Sequence, residues 1–154
     1  MLPVVPFELP EHRDNRCPFC TNVMGGNQMA VVHEDDETYA FVNPRMSGLG
    51  HLLVISKRHA PTLLDLDVAE AQAIMRQVHR LSHALMTAFE PTGLNVFQNN
   101  GRTAGQTVAH YHVHIVPSYA GDPPGRIFNS ADVERTPLEE RLKIAARIIA
   151  ELRD

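Results

Sequence analysis

The sequence of 154 residues contains no tryptophan, only two cysteines and no excess of basic side chains. Its 14 lysines and arginines are outnumbered by 18 aspartates and glutamates, which leaves a net charge of −4 with histidine neutral. This balance offers no basic surface for a nucleic-acid polymer, so no nucleic-acid partner is expected. No apolar run approaches the roughly 18 residues of a membrane span, and residues 1–15 lack the pattern of a secretory signal. We therefore expect a cytoplasmic protein with no membrane partner.

One domain is expected over residues 1–154, because a hydrophobic fraction of 44% is sufficient for a core in a chain of this length. Residues 1–16 contain three prolines and several charges. This composition predicts an irregular N-terminal arm, and both a docked and a disordered arm are consistent with it.

The remaining sequence predicts an α+β fold, in which a mainly antiparallel sheet packs on one long helix and is followed by a C-terminal helix. The long helix is expected to begin after Asp67, which can form a capping box with Glu70. The C-terminal helix is expected within residues 136–154, with Thr136 as N-cap and Pro137 as the first helical residue. Strands are expected at residues 29–33, 38–42, 50–57 and 93–98, and at the histidines described next.

Three histidines occupy every second position in the segment GQTVAHYHVHIVP, which spans residues 105–117. On a strand, His110, His112 and His114 would share one face, about 6.6 Å apart from one to the next. A zinc–nitrogen bond is only about 2 Å long, so one ion could take two neighbouring histidines but hardly all three. The three imidazoles are therefore expected to have different roles. The glycine-rich turn before them, with Gln106 and Thr107, suits a phosphate group.

This segment resembles the signature of the histidine-triad family of nucleotide hydrolases and transferases, and the resemblance extends roughly over residues 17–117. It implies an antiparallel sheet on one long helix, paired across a two-fold axis as a homodimer. It also implies that His112 is the nucleophile that attacks the α-phosphorus, and that His114 contacts a non-bridging phosphate oxygen. His51 is implied as a further α-phosphate contact.

The same resemblance assigns roles to the other site residues. Gln106 and Thr107 would donate to the phosphate or leaving group, and Asn43 would bind the ribose. Phe41 and Ile55 could flank the base, although plain core positions are an alternative for both. The full set of expected substrate contacts is Asn43, Asn99, His51, Gly105, Phe41 and Ile55.

Two cysteines separated by two residues, Cys17 and Cys20, indicate a metal site or redox chemistry. Resemblance to the zinc-containing family members implies a structural zinc ion bound by these thiolates together with His59 and His110. His51 is the rival for the third ligand. Thioredoxin-type chemistry is the less favoured alternative, because it needs a strand before the motif and a helix that begins at it.

The resemblance as a whole implies an enzyme similar to the bacterial adenosine 5'-monophosphoramidases. Such an enzyme cleaves a P–N or P–O–P bond at the α-phosphate of a purine nucleotide through a covalent nucleotidyl-histidine and releases AMP. One position departs from this branch. The phosphoramidases usually have an aspartate where this chain has Asn43, whereas the dinucleoside polyphosphate hydrolases commonly have an asparagine there. A polyphosphate hydrolase is therefore an alternative. A nucleotide-binding adaptor with little turnover is another.

Overall fold

The computed structural model describes residues 6–124 and 132–152. In these residues the strands form one sheet in the order β1-β2-β3-β5-β4, and every neighbouring pair is antiparallel. This architecture confirms the predicted α+β fold. The strands are β1 (Val31–Glu34), β2 (Thr38–Val42), β3 (Leu52–Ser56), β4 (Gly93–Phe97) and β5 (His112–Ser118). The helices are α1 (Pro18–Val23), α2 (Val68–Phe89) and α3 (Leu138–Ala150), and three-residue 3-10 turns lie at Arg13–Asn15, Leu63–Asp65 and Arg102–Ala104.

The two faces of the sheet have different chemistry because side chains alternate along each strand. One face packs against α2 and α3, and aliphatic side chains such as Val54, Leu81 and Ile115 form this main core. The other face carries a smaller aromatic and aliphatic cluster together with two of the histidines. That cluster consists of Phe19, Tyr39, Phe41, Leu53 and Ile55.

Helix α2 begins as the sequence predicts. The Asp67 carboxylate accepts from the backbone N–H of Glu70, and the Glu70 carboxylate accepts from the backbone N–H of Asp67. The helix ends at Phe89, just before Pro91, where Glu90 adopts a left-handed conformation. None of the helices in the described ranges is long and apolar enough to cross a membrane.

Helix α3 begins at Leu138, one residue later than predicted. Pro137 is its N-cap with extended backbone (φ −55°, ψ 149°), so Thr136 lies outside the helix. The reason is tertiary: the Thr136 N–H donates to the carbonyl oxygen of Pro44 (2.7 Å), and its own carbonyl accepts from Nε of Arg141. Helix α3 ends at Ala150, and residues 153–154 lie outside the described residues.

The histidine strand is also shorter than predicted, because β5 begins at His112 and His110 lies in the bend before it. The N–H of Tyr111 donates to the carbonyl of Ala60 rather than to a neighbouring strand (2.7 Å). The three histidines therefore do not form a regular ladder. This break frees His110 to face different partners from the other two.

The described part of the arm, residues 6–16, is irregular apart from its 3-10 turn and is docked on the loop before β5. The carbonyl of Glu8 accepts from the N–H of Arg102 (2.8 Å), and Nε2 of His12 accepts from the N–H of Ala109 (3.0 Å). Residues 1–5 of the arm lie outside the described residues.

Candidate functional site

His112 is the middle histidine of the triad and the first residue of β5. Its ring is buried, and Nδ1 lies 2.6 Å from the carbonyl oxygen of His110. A carbonyl oxygen can only accept, so Nδ1 carries the proton and Nε2 carries the lone pair. Burial lowers the pKa of His112, which keeps the ring neutral. The sequence thus places a neutral imidazole with a defined tautomer at the start of β5.

His114 is oriented by His51. The backbone N–H of Ser47 donates to Nδ1 of His51 (3.1 Å), so the proton of His51 lies on Nε2, which is 3.0 Å from Nδ1 of His114. His114 consequently accepts at Nδ1 and carries its proton on Nε2. Its ring also stacks on Phe97, with centroids 4.4 Å apart and planes 8° apart. Burial, together with the positive charges that His112 and His51 would carry, lowers the pKa of His114 to about 2.

His112 and His114 line a cavity of about 440 Å³, which we name the triad cavity. This volume falls within the range of about 300–1,000 Å³ that is typical of small-molecule sites. Three of the candidate site residues, Phe41, Asn43 and Thr107, are among the residues that line it. The lining residues are Pro18, Phe19, Asn22, Asn27, Gln28, Met29, Phe41, Asn43, Pro44, Arg45, Leu53, Thr107, Val108, His112, His114 and Arg135.

Four of the expected contacts do not line the triad cavity. Ile55 is a fully buried core residue opposite His112 in the β3–β5 register, which corrects the idea that it flanks a base. His51 is fully buried and reaches the site through His114. Asn99 and Gly105 belong to the loop before β5, where the Asn99 amide donates to the Gly105 carbonyl (3.3 Å).

Gln106 has a different position from the expected one. Its side chain is buried, its Oε1 accepts from the N–H of Gly101 (2.7 Å), and its Nε2 donates to the carbonyls of Pro61 (2.7 Å) and Val108 (2.9 Å). These bonds hold the glycine-rich loop in shape. In this conformation Gln106 does not donate into the triad cavity, which corrects its predicted role as a direct phosphate donor.

Several residues at the triad cavity were not predicted. Phe19 packs edge-on against His112, with ring centroids 5.2 Å apart, and Arg45 and Arg135 bring two guanidinium groups to the lining. Phe19 lies inside the CPFC motif and Arg45 follows Asn43-Pro44, so both stand next to residues that the sequence singled out. Arg135 carries no such local signal, because it is about twenty residues from the triad.

A second cluster brings together the four predicted metal ligands, Cys17, Cys20, His59 and His110, with all four ligand atoms within 4.8 Å of one another. Nδ1 of His110 lies 3.3 Å from Sγ of Cys17 and 3.5 Å from Sγ of Cys20, and Nδ1 of His59 lies 3.3 Å from Nδ1 of His110. Tetrahedral zinc with bonds of about 2.0 Å to nitrogen and about 2.3 Å to sulfur separates its ligand atoms by about 3.3–3.8 Å. The four residues therefore fit zinc, and His51 is not among them.

The protonation of this cluster also suits a cation. Nε2 of His110 donates to the carbonyl of Ser56 (2.7 Å), which leaves the lone pair on Nδ1 toward the sulfurs, as in many zinc sites. Burial is the main cause that lowers the pKa of His110 to about 4. Burial and the neighbouring Cys17 raise the pKa of Cys20 to about 11. A divalent cation bound here would stabilise the thiolate form of both cysteines.

Helix α1, which the sequence analysis missed, begins at this cluster. Cys17 is its N-cap, and the N–H of Cys20 donates to Sγ of Cys17 (3.4 Å). A helix therefore does begin at the CPFC motif. However, thioredoxin-type chemistry also needs a strand before the motif, and among the described residues no strand precedes it.

Comparison with known proteins gives consistent relatives. A family model for the HIT domain matches residues 25–121. The chain is 37% identical to Protein hit of Bacillus subtilis, over 77% of this chain and 83% of that protein. It is 33% identical to adenylylsulfatase HINT3 of Arabidopsis thaliana, over 67% of this chain and 52% of that protein. A crystal structure of a Zn-bound histidine triad family protein from Mycobacterium smegmatis superposes with a TM-score of 0.76 at 29% identity, covering 88% of this chain and 92% of that one.

Proposed function

Since the chain belongs to the HIT domain family, we propose that it hydrolyses a purine nucleotide conjugate at the α-phosphate. The bond cleaved is P–N or P–O–P, the intermediate is a nucleotidyl group on His112, and the product is AMP. The hydrogen bond from Nδ1 of His112 to the carbonyl of His110 (2.6 Å) carries this proposal. This bond keeps the proton of the neutral imidazole on Nδ1 and leaves the lone pair on Nε2. A histidine nucleophile requires such an available lone pair.

The reaction would proceed in two displacements. Nε2 of His112 forms a bond to the α-phosphorus, while the bond to the leaving nitrogen or oxygen breaks and that atom takes the electron pair. Water then attacks the same phosphorus, and the N–P bond breaks and returns the electron pair to Nε2. Splitting one difficult displacement into two easier ones is the advantage of the covalent route.

The neighbours of His112 support the same substrate. The protonated Nε2 of His114 is a donor for a non-bridging phosphate oxygen, and the Arg135 guanidinium provides positive charge in the cavity lining. Such preorganised positive groups stabilise the charge that develops at phosphorus. Phe19 and Phe41 give the cavity an aromatic side for a base, and we assign Asn43, which lines the same cavity, to the ribose hydroxyls.

The metal cluster fits a structural zinc ion rather than a catalytic one, because all four positions would be filled by protein ligands. A zinc ion there would cross-link α1 to the segment that carries His59 and to the residue before β5. The M. smegmatis relative, whose structure is Zn-bound, supports this assignment. The zinc site would thereby hold Phe19 in place beside His112.

We also propose that the chain forms a homodimer in the cytoplasm. Strand β4 is at one edge of the sheet, its residues are only partly buried, and Val96 is 44% exposed. An unpaired strand edge with an apolar side chain is a natural surface for a second copy.

The central experiment is a product assay with adenosine phosphoramidate and His112→Ala. The wild type is expected to release AMP, and a denaturing quench during turnover should trap adenylate on His112. The alanine variant should lose at least ~1,000-fold in kcat/KM because the nucleophile is gone, yet still bind AMP. His83→Ala, which changes an exposed histidine on α2, is the matched control.

Two results would contradict this proposal. Retained turnover in His112→Ala would remove His112 from the role of nucleophile. AMP binding by the wild type without measurable turnover of any conjugate would favour the nucleotide-binding adaptor.

A further inference from the structure

A second cavity of about 490 Å³ adjoins the triad cavity, and we name it the arm cavity because the N-terminal arm forms much of its wall. Four residues line both cavities, so the two adjoin each other there: Pro18, Asn27, Thr107 and Val108. The arm contributes five residues to the lining, namely Glu11, His12, Arg13, Asp14 and Arg16. A ligand of the triad cavity that is long enough to extend over Thr107 would reach the arm cavity.

The guanidinium groups of Arg13 and Arg16 are uncommitted: neither makes an ion pair or a side-chain hydrogen bond with any residue in ranges 6–124 and 132–152. Other arginines of the chain are engaged. Arg58 pairs with Glu70 (2.6 Å), and Arg102 pairs with Glu8 (2.9 Å). Two exposed arginines that line a cavity beside the proposed phosphate site, with no side-chain partner in the described part of the chain, are available to an anionic ligand.

The lining of the two cavities together is positive in an otherwise acidic chain. Arg13 and Arg16 line the arm cavity, and Arg45 and Arg135 line the triad cavity. Only two carboxylates face these four arginines in the lining, those of Glu11 and Asp14, whereas the whole chain has a net charge of −4. The local charge therefore favours a ligand that is negative over its whole length.

From this arrangement we infer that the arm cavity is the subsite for the leaving group, and that this leaving group is a phosphate chain. The inference rests on the proposed function and selects among its substrates: nucleoside and dinucleoside polyphosphates rather than amine conjugates. Thr107 lines both cavities, so a leaving group that departs from the α-phosphorus on the Thr107 side would meet Arg13 and Arg16. Arginine forks bind phosphate oxygens in pairs.

The step balances without a further reactant. Nε2 of His112 forms the bond to the α-phosphorus, and the bond from that phosphorus to the bridging oxygen breaks. The bridging oxygen keeps the electron pair and leaves as a terminal phosphate oxygen, whose negative charge Arg13 and Arg16 stabilise. Water then releases AMP from His112.

The test compares two substrates that share the adenylyl group. Diadenosine tetraphosphate has a leaving group long enough to enter the arm cavity, whereas the ammonia that leaves from adenosine phosphoramidate does not reach it. In R13Q/R16Q, the ratio of kcat/KM for the tetraphosphate to that for the phosphoramidate should fall about tenfold, mainly through KM. R13K/R16K should lose less, because the charge remains and only the fork is removed. R76Q, an exposed arginine on α2, is the matched control.

The outcomes separate the two proposals. A wild type that hydrolyses neither substrate contradicts the proposed function itself. A wild type that hydrolyses both, with an unchanged ratio in R13Q/R16Q, overturns the arm subsite alone. A loss of adenylyl-lysine turnover in E11Q/D14N would also overturn it, because the carboxylates would then be binding a cationic amine. Should the double variant fail to fold, R16Q alone is expected to lower the ratio about threefold.

Discussion

Each triad histidine has the same side chain but a different partner for its second nitrogen, and that partner determines which nitrogen is available. The carbonyl oxygen of Ser56 accepts a hydrogen bond from Nε2 of His110, so the lone pair of His110 lies on Nδ1 and faces the cysteines. The carbonyl of His110 holds the proton of His112 on Nδ1, so Nε2 carries the lone pair. His51 donates to His114, whose proton is therefore on Nε2. The division of roles comes from neighbouring hydrogen-bond acceptors and donors rather than from the imidazoles themselves.

The metal assignment gives a prediction at this scale. His59→Ala should lose bound zinc, measured as metal per chain after dialysis, because one of four ligands is removed. Zinc bound to the native state contributes to the free energy of unfolding. A loss of ~2 kcal/mol would lower the melting temperature of a domain of this size by roughly 4–8 °C.

His51→Ala and His79→Ala are the matched histidine controls for zinc content, since His51 contacts His114 and His79 is exposed on α2. Both should retain the metal. Full zinc content in His59→Ala together with loss in His51→Ala would exchange the two assignments.

At the scale of single elements, local signals predicted most boundaries to within two residues. Strand β2 and the start of α2 agree with the prediction, because the alternation and the capping box are properties of adjacent residues. The errors are at α1, at the start of β5 and at the start of α3. In the latter two cases a backbone group bonds to a distant loop, as Tyr111 does to Ala60 and Thr136 to Pro44. Such bonds leave no periodic pattern in the sequence.

The start of α2 should show a pH-dependent contribution to stability. Glu70 accepts from Arg58 and from the backbone N–H of Asp67, and these bonds lower its pKa to about 2 from an ordinary value near 4.5. Its carboxylate therefore stabilises the folded state fully above pH 4.5 and progressively less as the pH falls toward 2. Glu70→Gln should cost ~1 kcal/mol at pH 7 and much less at pH 2.5, measured by urea unfolding.

Glu139→Gln is the control for this prediction, because Glu139 pairs with Lys143 on the exposed surface of α3. It should change the free energy of unfolding by less than about 0.5 kcal/mol at either pH. An equal loss in Glu70→Gln at pH 7 and pH 2.5 would show that the Glu70 charge is not the cause.

The loop before β3 gives a second prediction for a single element. A Cβ on Gly48 would collide with the carbonyl oxygen of Pro117 in β5, which is backbone and cannot move away on its own. Gly48→Ala should therefore destabilise the fold by ~1–3 kcal/mol. Gly93→Ala is the matched control, because its nearest neighbour would be Cβ of Ser118 at 3.7 Å, an ordinary contact. Similar melting temperatures for the two variants would contradict the close approach of this loop to β5.

At the scale of the whole molecule, the two faces of the sheet separate stability from chemistry. One face packs against the helices, and the other carries the triad cavity, the metal cluster and the docked arm. The metal cluster and the triad are linked through His110, whose side chain faces the cysteines and whose carbonyl orients His112. Loosening of the metal cluster is thus expected to disturb the orientation of His112 as well.

The proposed homodimer can be tested at the edge of the sheet. Val96→Lys places a charge on the exposed side of β4 and should raise the dimer dissociation constant at least ~10-fold, measured by sedimentation velocity over a range of concentrations. Val68→Lys, at an exposed valine where α2 begins, should leave the dimer intact. A wild type that sediments as a monomer at all concentrations would rule out the proposed dimer.

The sequence by itself determined the identity of the chemistry: alternating histidines, a cysteine pair, a glycine-rich loop and strands with one apolar face. These features depend on residues close together in the chain, and their spacing is enough to recognise them. Only the tertiary structure decided which side chains meet. His51 meets His114 across 63 residues, Arg135 lines the triad cavity, and the arm adjoins that cavity. Such contacts depend on strand register and loop packing. Both are set by interactions between segments that are distant in the chain, and these leave no local pattern in the sequence.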